Sequence, residues 1–269
     1  MSLILSITLV LGVLLAHYFV IELMARFRYA ALTLAVLALL STPLWFAKFD
    51  GWFYAVKIFS VWVPLLIFGL IKALYPTNDK MKKWANGFAR AAFFLLTLNI
   101  LEASINGLQA GYFFNATVGF LLIVILPTFN KANWIAVNYK SSPFIIYAET
   151  PFKYILLYSS WNICFVYSVF PQYFSIVAIS LTYCFLHIYI SKSPNLWFSF
   201  RTFTLGLILM LRANTYWVET YLDWSFLYDQ RVAYFWGGMN LLLTLAYIIY
   251  AARKELKQSL VGRTVSYFQ

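Results

Sequence analysis

An all-α, multi-pass membrane bundle is the fold class that this sequence predicts, on three observations. Hydrophobic residues make up 63% of the chain, aromatics 21% and charged residues only 11%, whereas about a quarter of the residues in a soluble domain are charged. Several apolar stretches reach or approach the ~20 residues that a helix needs to cross the hydrocarbon core, which argues for helices over the alternating strands of an outer-membrane barrel. The third observation is the placement of Lys and Arg, which alternates along the chain as helix crossings require.

In chain order, nine segments qualify: 3–23, 29–46, 52–71, 88–107, 112–129, 154–170, 174–190, 203–217 and 232–252. The fifth to eighth are short for a full crossing, so the expectation is eight to nine transmembrane helices. The first lacks the basic n-region and small-residue cleavage site of a signal peptide and reads as a retained helix. With the N-terminus outside, sixteen of the 20 Lys and Arg residues fall in inner segments. Only Lys48, Arg212 and Arg231 lie near the outer face, and Lys57 sits within a helix. The predicted orientation is therefore N-out/C-in. We read one integral membrane domain over 1–269, with 1–48 as a peripheral two-helix hairpin and 52–252 as a core bundle with a polar interior.

The formal charge of +11 is scattered over short segments with no basic face, which excludes a nucleic-acid partner and leaves membrane lipid as the surrounding partner. Glu219, Asp223 and Asp229 cluster between the last two spans, most simply as a solvated loop. The longest connection, 131–153, carries an apolar stretch, 134–139, suited to the membrane interface. No internal repeat is visible, and oligomer formation is left open.

Polar groups at membrane depth carry the functional reading. Asn99, Glu102 and Asn106 are spaced three and four apart and form one stripe on a helix, with Leu98, Leu101 and Ile105 covering the other sides. Lys57 and Glu102 lie at matching depth on consecutive antiparallel helices, about 8 Å inside the outer boundary, and predict an ion pair. Helix locking and a role in substrate or proton handling weigh equally for that pair.

Farther along, Tyr158-Ser159-Ser160-Trp161-Asn162 places hydroxyls and an amide near mid-membrane, with helix stitching the simpler reading. Arg201 and Arg212, eleven residues apart, return to almost the same helical face. Arg201 is expected to snorkel to its interface, and Arg212 to meet the outer polar layer. Asn240, Thr244 and Tyr247 form a stripe after Gly237-Gly238, which allows close helix approach, and packing accounts for it.

Cys164 and Cys184 both fall inside apolar spans and read as packing residues. Asn115-Ala116-Thr117 matches a glycosylation acceptor but abuts an apolar span and is discounted. His17 and His187 fall in the inner halves of their helices. No His, Cys or carboxylate spacing points to a metal, and no phosphate loop, nucleophile elbow or cofactor motif occurs, so no metal and no cofactor are expected.

Trp52…Lys57, Leu98-Asn99-Ile100-Leu101-Glu102-Ala103, Trp161-Asn162…Val166-Tyr167 and Arg201-Thr202 occur in an order that resembles a family of bacterial multi-pass membrane proteins defined only as a domain of unknown function. The likeness runs from about Trp52 to the ninth span. It implies a bacterial inner (cytoplasmic) membrane and a polar core that includes Tyr167 and Arg201. The family's acidic residue before Trp-Asn is replaced here by Ser159-Ser160, which weakens a relay between two carboxylates. The resemblance implies no reaction.

The expected function is a transporter or channel for an ion or small polar solute, with some lean toward an anion. Its outward-facing cavity would be lined by Lys57, Asn99, Glu102, Asn162, Arg212 and Asn240. An enzyme acting on a lipid or isoprenoid ranks second, because a single deep carboxylate falls short of the usual acid/base pair. A sensor or partner subunit without turnover is the third reading.

Overall fold

The computed structural model describes residues 3–48, 52–75, 78–126, 137–139, 142–145, 150–214 and 220–266. The fold is helical apart from a short antiparallel pair, Val137–Tyr139 with Ser142–Ile145. Ten α-helices are described: α1 (Leu3–Arg26), α2 (Ala30–Leu40), α3 (Thr42–Lys48), α4 (Trp52–Leu74), α5 (Asp79–Gln109), α6 (Phe113–Val124), α7 (Phe152–Val169), α8 (Phe174–Ile190), α9 (Trp197–Asn214) and α10 (Gln230–Ser266). Among the described residues, four runs are long and apolar enough to cross a membrane: Ile7–Arg26, Asp79–Gln109, Pro171–Ile190 and Gln230–Lys254. Ala30–Leu40, Ile58–Leu74 and Phe113–Val124 are shorter apolar helices.

Helix boundaries depart from the sequence expectation where local chemistry intervenes. The expected second span is two helices, because Pro43 has no N–H for the helical ladder and its ring clashes with the preceding turn; Ser41 closes α2 by donating its N–H to Leu37 O. Helix α5 starts nine residues before the expected boundary, with the Asn78 side chain accepting from Met81 N at 3.1 Å as an N-cap. Helix α9 starts at Trp197 rather than residue 203, which draws Arg201 into its body.

Cross-helix contacts fix the direction of each run. Gly69 meets Leu32, and Trp62 Nε1 donates to Ala35 O at 2.6 Å, so α2 lies antiparallel to α4. Ser104 and Gly107 of α5 meet Gly119 and Ala116 of α6, an antiparallel hairpin. Tyr154 OH donates to Leu122 O and Trp161 Nε1 to Asn115 O, setting α7 antiparallel to α6. Phe68 packs edge-on to Phe198, and Leu65 meets Gly206, so α9 is antiparallel to α4. Phe68, Phe93 and Phe198 sit within the main apolar core, which extends from Ile21 and Met24 of α1 to Trp161 of α7 and Trp197 of α9.

At one end of the bundle two helices exchange caps. Lys72, 3% exposed, donates from Nζ to Met24 O at 2.5 Å and also to Ala25 O, two carbonyls in the last turn of α1. Arg28, just past α1, donates from Nε to Ala73 O at 2.7 Å in the last turn of α4. Each helix C-terminus, rich in unsatisfied carbonyls and partial negative charge, is thus answered by a cation from the other.

Gly69 marks the closest approach of two backbones. A Cβ added there would stand 2.6 Å from Leu32 N and 2.7 Å from its Cα, whereas one added at Gly12 meets open space. Gly69→Ala is therefore expected to lower stability by about 1–3 kcal/mol through overpacking. Gly12→Ala is expected to leave it unchanged or raise it by about 0.5–1 kcal/mol. Thermal unfolding of the two purified variants checks both.

Candidate functional site

The polar stripe of α5 is half-buried and faces α4. Ser60 Oγ donates to Asn99 Oδ1 at 3.0 Å, and Asn106 Nδ2 reaches Glu102 Oε1 at 3.5 Å. Pro64 lies one turn below Ser60, and its missing N–H interrupts the α4 ladder at the Ser60 carbonyl. In antiparallel helices a contact fixes the register, and Ser60 opposite Asn99 brings position 57 level with Glu102. The Lys57 side chain, and with it the expected ion pair, lies outside the described residues.

A second polar group ties three helices together. Asn240 of α10 accepts from Ser160 Oγ at 2.6 Å and donates from Nδ2 to Asn115 Oδ1 at 3.4 Å. Trp236 Nε1 donates to Ser160 Oγ at 3.0 Å. Asn115 and Trp161 exchange bonds, each side-chain N–H donating to the other's backbone carbonyl, at 3.3 and 2.9 Å. In this closed network every hydrogen bond has a protein partner, and Gly237 lets α10 approach Asn115 as the sequence expects. Burial also removes Asn115 from any glycosylating enzyme.

A third group surrounds Arg201. Instead of snorkelling to an interface, Arg201 is 4% exposed, because α9 begins a turn before it. Its Nε donates to Tyr158 OH at 3.5 Å, and Asn162 Nδ2 donates to the same oxygen at 3.2 Å. His17 approaches from α1, wholly buried and bonded to Ser180 of α8 at 2.5 Å. Ser159 is buried beside Tyr158 with its Oγ unpartnered among the described residues.

The remaining expected residues serve the opposite end of α7. Arg212 stacks its guanidinium on the Tyr173 ring at 3.5 Å. Tyr167 OH donates to Leu227 O at 2.8 Å and accepts from Asp229 N at 2.7 Å, holding the segment that leads into α10. Asp229 in turn accepts from Arg231 N and Val232 N, and Asp223 accepts from Ser225 N. These two acids are turn and cap residues, while Glu219 and the stretch 134–136 lie outside the described residues. Cys164 and Cys184 are both buried and free.

The described contacts thus distribute five of the six expected lining residues over separate places: Asn99 and Glu102 on α5, Asn162 beside Arg201, Asn240 in the three-helix network and Arg212 on Tyr173. Sequence reading missed Ser60, Asn115, His17 and Ser180 as partners. Asn115 carried a usable signal, an amide inside an apolar helix; a serine or a lone histidine there carries almost none.

Asn240→Ala leaves Asn115 and Ser160 without their shared partner and is expected to cost about 1–2 kcal/mol. Pairing it with Asn115→Ala in a double-mutant cycle should give less than the sum of the single losses, read from thermal unfolding.

No family model, curated protein or solved structure matches this chain.

Proposed function

We propose that the chain is a bacterial inner-membrane protein, N-out/C-in, that crosses the bilayer eight to nine times and serves as a transporter or channel for an ion or small polar solute, with a lean toward an anion. The observation that supports transport most directly is Glu102. This carboxylate is half-buried on a helix long enough to cross a membrane, beside Asn99, Asn106 and Ser60. Hydrocarbon disfavours a carboxylate so strongly that intramembrane acids concentrate on solute and ion routes. The register that brings position 57 level with Glu102 supports a Lys57–Glu102 pair that a passing solute would open and re-form. The antiparallel sequence of runs and the concentration of Lys and Arg in alternate segments support the topology.

Reconstituted wild-type protein should carry a flux under an imposed proton, cation or anion gradient, and Glu102→Gln should reduce it at least tenfold with the fold intact. Silence of the wild type across such a screen would sink the transport reading. In a variant lacking Cys164 and Cys184, a single cysteine at Ser225 should label from outside intact cells, and one at Lys254 only after permeabilisation. The opposite pattern would reverse the proposed orientation.

A further inference from the structure

The hydrogen-bond balance around Arg201 does not close. Tyr158 OH receives two donors, Arg201 Nε and Asn162 Nδ2, so both lone pairs are engaged and the hydroxyl's own proton is free to donate. Arg201 Nη1 is buried with no hydrogen-bond partner among the described residues. His17 offers no acceptor. Its Nδ1 faces Val13 O at 2.7 Å and must carry the proton, while Nε2 is occupied by the Ser180 hydroxyl. Cys184, within electrostatic reach of the guanidinium, is only a weak acceptor. The Glu22–Arg26 ion pair does not involve Arg201. Among the described residues, the place therefore holds one full positive charge, two donors without acceptors and no carboxylate paired with the guanidinium.

A guanidinium left buried and unpaired is strongly unfavourable, and an acceptor bearing one negative charge removes that cost. The walls limit its size, because Trp197 and Trp161 pack against the Tyr158 ring with centroids at 4.9 and 5.8 Å. We propose that Arg201 and Tyr158 bind a small monovalent inorganic anion, of halide or nitrate size, inside the bundle between α7 and α9. That this anion is the transported solute rests on the transport reading above; that it binds does not.

The test uses the full chain in nanodiscs of zwitterionic lipid, with unfolding temperature followed as nitrate or bromide replaces gluconate at constant ionic strength. The wild type should show a saturable rise. Arg201→Gln should abolish it, Arg201→Lys should retain a weaker response, and Tyr158→Phe should raise the half-saturating concentration about tenfold for one lost donor. Arg26→Gln, at an exposed position on α1, should respond like the wild type. A folded wild type with no saturable response overturns the proposal, as does an unchanged response in Arg201→Gln. Should Arg201→Gln fail to fold, an unchanged half-saturation in Tyr158→Phe overturns it equally. Saturable, Arg201-dependent binding without flux of any solute would uphold this site and sink the transport reading; flux without anion binding would do the reverse.

Discussion

A polar group inside a bilayer has no water to turn to, and the packing of this bundle follows from that constraint. The Asn115, Ser160, Trp161 and Asn240 side chains answer one another across α6, α7 and α10. Each bond adds modestly, about 0.6 kcal/mol on average for such contacts, but the alternatives are ruled out more sharply. Sliding α10 by one turn would take Asn240 from both its partners and leave Asn115 Oδ1 without its donor. The network therefore specifies register more than it adds stability. His17 with Ser180 and Ser60 with Asn99 do the same for α1 on α8 and for α4 on α5.

Small residues stand where those contacts need backbones to come close. Gly119 packs under Ser104 and Trp161, and Gly237 lies against Asn115. Since lipid tails are as apolar as a leucine face, dispersion at such close approaches and the hydrogen bonds beside them replace the hydrophobic drive of a soluble core. Helix α6, only twelve residues long, is held on both sides in this way. Arg201 differs from these groups in that it carries a full charge while its buried Nη1 has no hydrogen-bond partner among the described residues.

Much of this was legible in the sequence, for identifiable reasons. Hydropathy marks apolar runs regardless of how they pack, so most helices fall where expected. The polar stripe of α5 and the Gly237-Gly238 approach were legible because both are periodic or local. Boundaries set by single residues were less so: Pro43 divides the second apolar run, and the early start of α9 reverses the expectation for Arg201. Partner choice was least legible. Nothing local to Asn115 points to Trp161 or Asn240, which lie 46 and 125 residues away, and such pairings exist only once three helices have assembled.

The exchange of caps by Lys72 and Arg28 has a consequence for how the chain is laid into a membrane. The C-terminal ends of α1 and α4 meet at one level, and α4 is 23 residues long, about 34 Å. The α2–α3 segment must therefore lead the chain back over a comparable distance before α4 begins. Were that return to fail during synthesis, α4 would start from the wrong side, and its lysine and the arginine after α1 would finish far apart. Two cations and the two carbonyl-rich turns they cap thus act as a check on the first part of the chain, favouring only the path in which the C-terminal ends of α1 and α4 finish at one level.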